Sequence, residues 1–263
     1  MRFFVEGLIQ PFVQQNQCLR LCEIGAHRGE ATRRLLAIPN VSIDTIDPTI
    51  HEDLEATLSS ESRVTMRRGL SLEILPQLNE AFDCILIDGD HNWYTVFHEL
   101  TTIDQRGLLR PGGVIFMHDV RWPYARRDMY YDPSTLPAEF IHPYERKEVV
   151  RGRSALSSDK GNQSNLNNAK FEGGPRNGVL TGIEDFLQDK RGKYIFMTSP
   201  VEYGLGAIIY RSPDTDLKYE LKWRLKLLAF AAKMRLRALK YRTAYVLEGR
   251  FPSAYRALDR WRR

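Results

Sequence analysis

The sequence predicts an α/β domain with a doubly wound, largely parallel sheet. One reason is the stretch LCEIGAHRGEATRRLL, Leu21 to Leu36, in which an apolar strand runs into a glycine-containing turn and then a helix. Another is that later apolar segments lack polar alternation, as parallel strands buried on both faces do. At 263 residues the chain can hold one such domain with additions. We therefore expect a main domain at residues 1–215, with an insertion at 121–178, and a basic helical extension at 216–263.

The turn after the first strand is the strongest sign of a ligand site. Glu23, Gly25 and Gly29 form the pattern E-x-G-x-x-x-G, and glycines at a strand-to-helix junction let backbone N–H groups approach a ligand closely. The spacing differs from the G-x-G-x-x-G of dinucleotide-binding proteins. An acidic residue before the first glycine suits an ammonium group and repels a phosphate. The turn is therefore predicted to bind a ligand that carries an ammonium group.

Acidic residues also follow three later strands. The segments VSIDTIDP, FDCILIDGDH and LLRPGGVIFMHDV are predicted to contain strands at Val41–Ile46, Phe82–Ile87 and Val114–Met117, whose ends lead to Asp47, Asp88 and Asp119. Ligands of open parallel sheets bind outside the carboxyl ends of the strands, so the ends of strands one, four and five should face one cleft.

Asp47 is the predicted partner of ribose hydroxyls, because it lies about 20 residues beyond the glycine turn, where a βαβ unit puts an acid. Asp44 is the alternative, but Pro48 marks Asp47 as the residue at the strand end. Ser71 follows the third strand at the level of a bound adenine. It is either an adenine contact or the N-cap of a helix.

Together these segments resemble the class I S-adenosylmethionine-dependent methyltransferases over the first half of the chain. The turn resembles the first motif of that family, and the later segments are most similar to catechol-type and macrocin-type (macrolide-sugar) O-methyltransferases and cephalosporin-hydroxylase-like proteins. The resemblance implies S-adenosylmethionine as cofactor and a Rossmann-like, seven-stranded sheet. It also implies that KYIFMTS and GLGAIIYR form a terminal antiparallel hairpin.

The resemblance implies a cofactor site and a metal site that share one residue. The cofactor site would consist of Glu23, Gly25, Gly29, Asp47, Ser71 and Asp88. The metal site would consist of Asp88, His118 and Asp119, since carboxylate oxygens are the ligands that Mg²⁺ prefers. The metal-dependent relatives commonly have a carboxylate where this chain has His118. That residue therefore either ligates a softer ion such as Mn²⁺ or does not ligate.

Two neighbouring residues compete for the role of catalytic base. The family pattern points to Asp90 within Asp-Gly-Asp, whereas His91 titrates closer to neutral pH. The sequence leaves both open.

The insertion at 121–178 has an aromatic half and a half rich in Gly, Ser and Asn. Insertions of this length are usually functional lids or disordered. Its aromatic residues either cover a ring-shaped acceptor such as a sugar or pack locally over the edge of the sheet. The second half is expected to be mobile until a ligand binds.

The extension at 216–263 has its own charge. It contains 14 Lys and Arg against 4 Asp and Glu, a net charge of +10, which leaves 24 against 29, or −5, for residues 1–215. An apolar stripe is predicted along one long helix, formed by Leu217, Leu221, Leu225, Leu228, Ala232, Leu236 and Leu239. Such a helix docks on the body, docks on a second subunit in a homo-oligomer, or lies on an anionic membrane surface. Nucleic acid is a weaker expectation, because no recognised binding module accompanies the basic residues.

A cytoplasmic location is expected, with peripheral association at the inner membrane surface if the extension binds lipid. The three cysteines, Cys18, Cys22 and Cys84, fall in apolar strand segments, which suits reduced core thiols. The hydrophobic content is 43%, and no apolar run is long enough to span a bilayer.

The leading functional hypothesis is a metal-dependent O-methyltransferase that acts on a sugar or polysaccharide hydroxyl. One alternative is a metal-independent class I methyltransferase that acts on another small molecule. The other is a non-catalytic cofactor-binding scaffold tethered by its basic extension.

Overall fold

The computed structural model describes residues 4–158, 162–190, 192–199, 201, 203–213 and 215–250. Seven strands form one sheet, in the order β3-β2-β1-β4-β5-β10-β9. They are β1 (Arg20–Ile24), β2 (Ser42–Asp47), β3 (Val64–Arg68), β4 (Phe82–Ile87), β5 (Leu109–His118), β9 (Tyr194–Ser199) and β10 (Leu205–Tyr210). The predicted seven-stranded α/β sheet is confirmed.

The direction of the strands sets where a ligand can bind. Strands β1 to β5 pair in parallel, and β10 is antiparallel to both β5 and β9. Strand order reverses at β1, which lies between β2 and β4. The carboxyl ends of β1, β2, β4 and β5 therefore border one cleft, where open α/β sheets bind ligands.

Helices cover both faces of the sheet. The helices are α1 (Gln10–Gln15), α2 (Glu30–Leu36), α3 (Glu52–Leu58), α4 (Ser71–Ile74), α5 (Trp93–Arg106), α6 (Val179–Leu187) and α7 (Leu217–Arg250), and a π-helical turn at Val5–Ile9 precedes α1. The N-terminal helix, α2 and α7 pack on one face. Helices α5 and α6 pack on the other. Cys18, Cys22 and Cys84 are buried and unbridged.

The insertion is built around a small antiparallel sheet, in the order β6-β8-β7. Its strands are β6 (Met129–Tyr130), β7 (Tyr144–Glu145) and β8 (Asn167–Ala169). The second half of the insertion contributes β8, which is buried at all three positions; its mobility before ligand binding stays a prediction. Asp128, also buried, holds the insertion to the body because it accepts hydrogen bonds from the backbone N–H groups of Trp93 and Gly178, at 2.7 and 2.6 Å.

Helix α7 packs on the body through a face other than the predicted leucine stripe, so the alternative in which that stripe docks on the body is wrong. The buried residues are Trp223, Leu227, Phe230 and Ala231. The leucines of the predicted stripe are exposed wherever their side chains are described; Leu239 lies outside the described side chains. The physical reason is that α7 has two apolar faces, and the face with Trp and Phe buries more area. Among the described helices none is both long and apolar enough to cross a membrane.

Candidate active site

The turn after β1 packs directly against the end of β4. Gly25 has φ of +85°, and a Cβ added there would lie 2.3 Å from the backbone oxygen of Asp88. Only glycine fits this position without a shift of the backbone. Gly29 has φ of +68° and precedes the first residue of α2. Both glycines of the motif therefore shape a turn at the cleft, as the sequence predicts.

Glu23 lies in β1 just before this turn and is buried. Its Oε2 accepts a hydrogen bond from Thr32 Oγ1 at 2.5 Å. Burial raises the pKa of the Glu23 carboxyl to about 8. An ammonium group beside this carboxyl would favour its ionised form, which agrees with the charge expected of the ligand.

Asp47 ends β2 and contacts the glycine turn. Its Oδ2 accepts from the backbone N–H of His27 and its Oδ1 from that of Thr49, both at 2.7 Å. Asp44 instead forms an ion pair with Arg67 at 2.7 Å. Asp47 is therefore the acid of β2 that borders the cleft turn, and Asp44 has a structural partner within the sheet.

Ser71 is the first residue of α4, and its N-cap is Leu70. The N-cap alternative is therefore wrong. Ser71 Oγ donates to Glu99 Oε1 at 2.5 Å, and burial raises the pKa of the fully buried Glu99 carboxyl to about 8. Sequence reasoning missed Glu99. The available signal was an acid at helical spacing between Val96 and Ile103, two buried residues of α5.

Four ionisable side chains meet at the ends of β4 and β5. His118 Nδ1 lies 2.7 Å from Asp119 Oδ2 and 3.1 Å from Asp88 Oδ1. His91 Nε2 lies 2.9 Å from Asp119 Oδ2 and 3.8 Å from Asp88 Oδ1. One ligand atom from each of Asp88, His118 and Asp119 falls within a span of 4.8 Å. We call Asp88, His91, His118 and Asp119 the strand-end cluster.

The charges of the strand-end cluster stabilise one another. Burial alone would raise the carboxyl pKa values, but the neighbouring imidazoles hold the pKa of Asp88 and of Asp119 well below the ordinary range. Burial opposes protonation of His118, yet Asp88 and Asp119 raise its pKa to about 9. Asp119 raises the pKa of the buried His91 in the same way. A bound cation would replace these protons as the partner of the carboxylates.

The backbone at Asp119 is unusual for a residue with a side chain. Its φ is +59°, a left-handed conformation that Asp and Asn adopt more readily than most residues. Such conformations cost free energy and occur often at functional sites. This observation is consistent with a functional role for the end of β5.

Asp90 and His91, the two candidate bases, point to different partners. Asp90 Oδ2 accepts from Thr95 Oγ1 at 3.1 Å in the first turn of α5, and burial raises the Asp90 pKa. His91 belongs to the strand-end cluster. The structure therefore distinguishes the surroundings of Asp90 from those of His91, which the sequence could not do.

Aromatic rings surround the strand-end cluster. Tyr124 stacks on His91 with ring centroids 5.4 Å apart, and Tyr131 lies 6.0 Å from the same ring. Tyr203 lies 6.0 Å from His118. Tyr131 is 57% exposed and Tyr203 is 42% exposed, so these two rings mark the open side of the cluster.

Residues 22–120 match the family model described as a methyltransferase domain. This segment contains the glycine turn and the whole strand-end cluster. No curated protein matches the sequence significantly.

Solved structures with a similar fold include methyltransferases. The SAH-bound Podospora anserina methyltransferase PaMTH1 is 16% identical, with a TM-score of 0.50, and the alignment covers 79% of this chain and 78% of that chain. A putative O-methyltransferase from Klebsiella pneumoniae is 19% identical, with a TM-score of 0.48, over 79% of this chain and 80% of that chain. The similarity to PaMTH1 shows a methyltransferase-type α/β fold, which confirms the predicted fold class. The assignment to the macrocin and cephalosporin-hydroxylase branch stays a prediction.

Proposed function

We propose that the protein is an S-adenosylmethionine-dependent O-methyltransferase that uses a divalent cation and acts on a sugar or polysaccharide hydroxyl. The observation that carries the proposal is the strand-end cluster, which lies against the glycine turn of a segment that matches a methyltransferase domain. The glycine turn supports the cofactor, the donor atoms of the cluster support the metal, and the exposed tyrosines support the sugar acceptor.

The residues around the turn fit S-adenosylmethionine. The cofactor would supply an electrophilic methyl group at the cleft. Gly25 and Gly29 keep side chains out of the turn, and Glu23 offers a buried carboxyl to the cofactor's ammonium group. Asp47, held by the N–H groups of His27 and Thr49, is positioned at the end of β2 for the ribose hydroxyls.

The donor set of Asp88, His118 and Asp119 fits Mg²⁺ or Mn²⁺. Two carboxylates and one imidazole are a mixed oxygen and nitrogen set, and the imidazole favours Mn²⁺ over Mg²⁺. A divalent cation there would lower the pKa of a hydroxyl that is bound to it. A sugar hydroxyl has a high pKa, so this effect would help its deprotonation at neutral pH.

We assign the role of base to His91 rather than Asp90. His91 Nε2 is 2.9 Å from Asp119 Oδ2, so it is next to the place where an acceptor oxygen would bind. Its neighbour Tyr124 covers one ring face and keeps the imidazole in place. Asp90 instead bonds to Thr95 and is assigned to positioning the start of α5.

The acceptor class rests on Tyr131 and Tyr203. Both rings are exposed and lie within 6.0 Å of a cluster imidazole. Exposed aromatic faces suit the apolar faces of sugar rings. A sugar placed between them would bring a hydroxyl to the strand-end cluster.

A second candidate keeps the cofactor and omits the metal. One observation favours it: His91 and His118 already pair with Asp88 and Asp119, so two protonated imidazoles can balance two carboxylates. In that case His91 would have to release its proton before it could act as the base, and the acceptor need not be a sugar.

Three measurements on the full chain test the proposal. Calorimetric titration with S-adenosylmethionine should show binding. Methyl transfer to a panel of glycosides should be lost in EDTA and restored by Mg²⁺ or Mn²⁺, whereas cofactor binding should persist in EDTA. Full activity of freshly stripped enzyme in EDTA would favour the metal-free candidate. Cofactor binding without turnover on any acceptor would favour a non-catalytic scaffold.

A further inference from the structure

The outward face of α7 is apolar although it faces solvent. We propose that this face binds an anionic lipid membrane. We call its residues the leucine face: Leu217, Leu221, Leu225, Leu228 and Leu236, which are between 55% and 79% exposed. A scattered exposed leucine needs no explanation, but five on one side of one helix form a contiguous apolar patch of the kind that marks an interaction site.

The leucine face cannot turn inward, because the opposite face of α7 is held by aromatic packing. Trp223 packs on Phe12 with ring centroids 4.7 Å apart, and Phe230 packs on Phe4 at 5.7 Å. A Cβ at Gly7 would lie 2.2 Å from the Phe230 ring, so the helix sits directly on the N-terminal segment. The rotation of α7 about its axis is therefore fixed with the leucines outward.

Basic residues flank the leucine face on both sides. At 100° per residue, Lys218, Lys222 and Lys233 project along one edge, and Arg224 and Arg235 along the other. Residues 217–236 contain six Lys and Arg but one acid, Glu220, which pairs with Arg224 at 2.7 Å. Long basic side chains at the edges of an apolar helix face can reach lipid headgroups while the apolar side chains enter the interface.

Length and charge favour a membrane over a second copy of this chain. The face runs about 28 Å from Leu217 to Leu236 at the ordinary rise per residue, and it lies parallel to the helix axis. A second copy docked by the same face would bring like charges together along both edges. An anionic surface instead attracts the extension, with its net charge of +10, and repels residues 1–215, with −5. Binding to an anionic membrane would therefore cover the leucine face and would also explain why the extension is basic while residues 1–215 are acidic.

Vesicle sedimentation with the full chain tests the proposal. The probes are phosphatidylcholine vesicles with and without phosphatidylserine. We expect binding to the phosphatidylserine vesicles, weakened by salt, and little binding to pure phosphatidylcholine. Combined Leu221→Ser, Leu225→Ser and Leu228→Ser should reduce the partition coefficient on the order of a hundredfold. Combined Lys218→Gln, Lys222→Gln and Lys233→Gln should reduce it to a similar extent, at about fivefold per cation.

Two controls separate membrane binding from unfolding and from self-association. Leu19→Ser changes a leucine that is 52% exposed outside α7 and should leave vesicle binding unchanged. All variants should keep the wild-type thermal unfolding temperature, because the substituted side chains are exposed. Wild-type vesicle binding by the triple serine variant would overturn the proposal. A second set of results would also overturn it. In that case sedimentation equilibrium without vesicles would show that the wild type is a dimer and the triple serine variant a monomer, and the wild type would not bind lipid.

Discussion

The Nδ1 atom of His118 lies 3.1 Å from Oδ1 of Asp88, and this contact joins the ends of two neighbouring strands. The register of the sheet explains it. Ile87 of β4 is paired with Met117 of β5, so the next residue of each strand emerges at the same edge. The pairing of β4 with β5 thereby turns two distant sequence motifs into one donor set.

Asp119→Asn should lower Mn²⁺ affinity at least tenfold, because a three-donor site loses much of its binding when one carboxylate becomes a neutral amide. Asp88→Asn should have the same effect. Calorimetric titration with Mn²⁺ measures both. Asp132→Asn, a surface variant in the insertion, is the matched control and should bind as the wild type does. Wild-type Mn²⁺ affinity in the two cluster variants would show that the metal, if any, binds elsewhere.

His118→Ala decides the part played by the imidazole. If His118 is a ligand, the variant should lose Mn²⁺ affinity to the same extent as Asp119→Asn, because its Nδ1 atom faces both carboxylates. A loss of less than about threefold would make it a partner that only orients the carboxylates. The same titration measures it, with circular dichroism to verify folding.

Asp47→Ala should weaken S-adenosylmethionine binding by about 1 to 3 kcal/mol, the range for hydrogen bonds to a charged group. The lost contacts to His27 and Thr49 would also loosen the turn. Asp44→Asn is the control, since it disturbs the ion pair with Arg67 and should cost stability but not affinity. Equal affinity in the Asp47 variant and the wild type would contradict the ribose assignment.

Glu99→Gln should become progressively more stabilising relative to the wild type as the pH rises. The Glu99 pKa is raised to about 8 in the folded protein by burial, whereas the unfolded chain loses the proton near its ordinary pKa. Folded protein thus binds more protons between these values, and its stability falls with increasing pH until the folded pKa is passed. Urea unfolding at pH 5, 6, 7 and 8, without cofactor, measures the difference. If the free energies of unfolding of the variant and the wild type differed by the same amount at every pH, Glu99 would not keep its proton in the folded protein.

Phe230→Ala should lower the free energy of unfolding by about 3 kcal/mol, since it removes a buried ring from the contact with Phe4. Leu228→Ala, on the outward side of the same helix and 61% exposed, should change it by less than about 0.5 kcal/mol. Urea unfolding of the pair compares the two faces of α7. The opposite ranking would mean that α7 docks through its leucines.

The sequence predicted the sheet well where its strands are apolar. Phe82–Ile87 was predicted with the bounds that the structure has. Strand β5 was predicted to begin at Val114 but begins at Leu109, because Pro111, Gly112 and Gly113 resemble a turn. The structure instead places them in an irregular register between β4 and β5.

The sequence could predict which residues lie at the strand ends of the site. It could not predict the side-chain orientations that decide their partners. Asp88, His118 and Asp119 end parallel strands, so the rules of the fold bring them together. Asp90 and His91 diverge because Asp90 accepts a hydrogen bond from Thr95, whereas His91 forms an ion-pair contact with Asp119. Sequence spacing carries no information about that choice.

The face of α7 could not be chosen from periodicity either. Leucines at helical spacing predicted one apolar stripe and left its partner open, whereas Trp223 and Phe230 repeat at a compatible spacing on the opposite side. Only the complementary surface, made by Phe4, Gly7 and Phe12, decides which of two apolar faces is covered.

The position of β10 has a consequence for synthesis on the ribosome. This strand completes the hydrogen bonding of β5, with Leu205 paired to His118, yet it is translated about 90 residues later, which takes several seconds at cellular rates. During that interval β5 is the unpaired border of a hydrophobic sheet, the arrangement most prone to join another chain. The insertion is made in the same interval and anchors beside β4 through Met129, whose N–H bonds to His91. Nascent chains halted before residue 205 should therefore aggregate or recruit chaperones, and those halted after 210 should not.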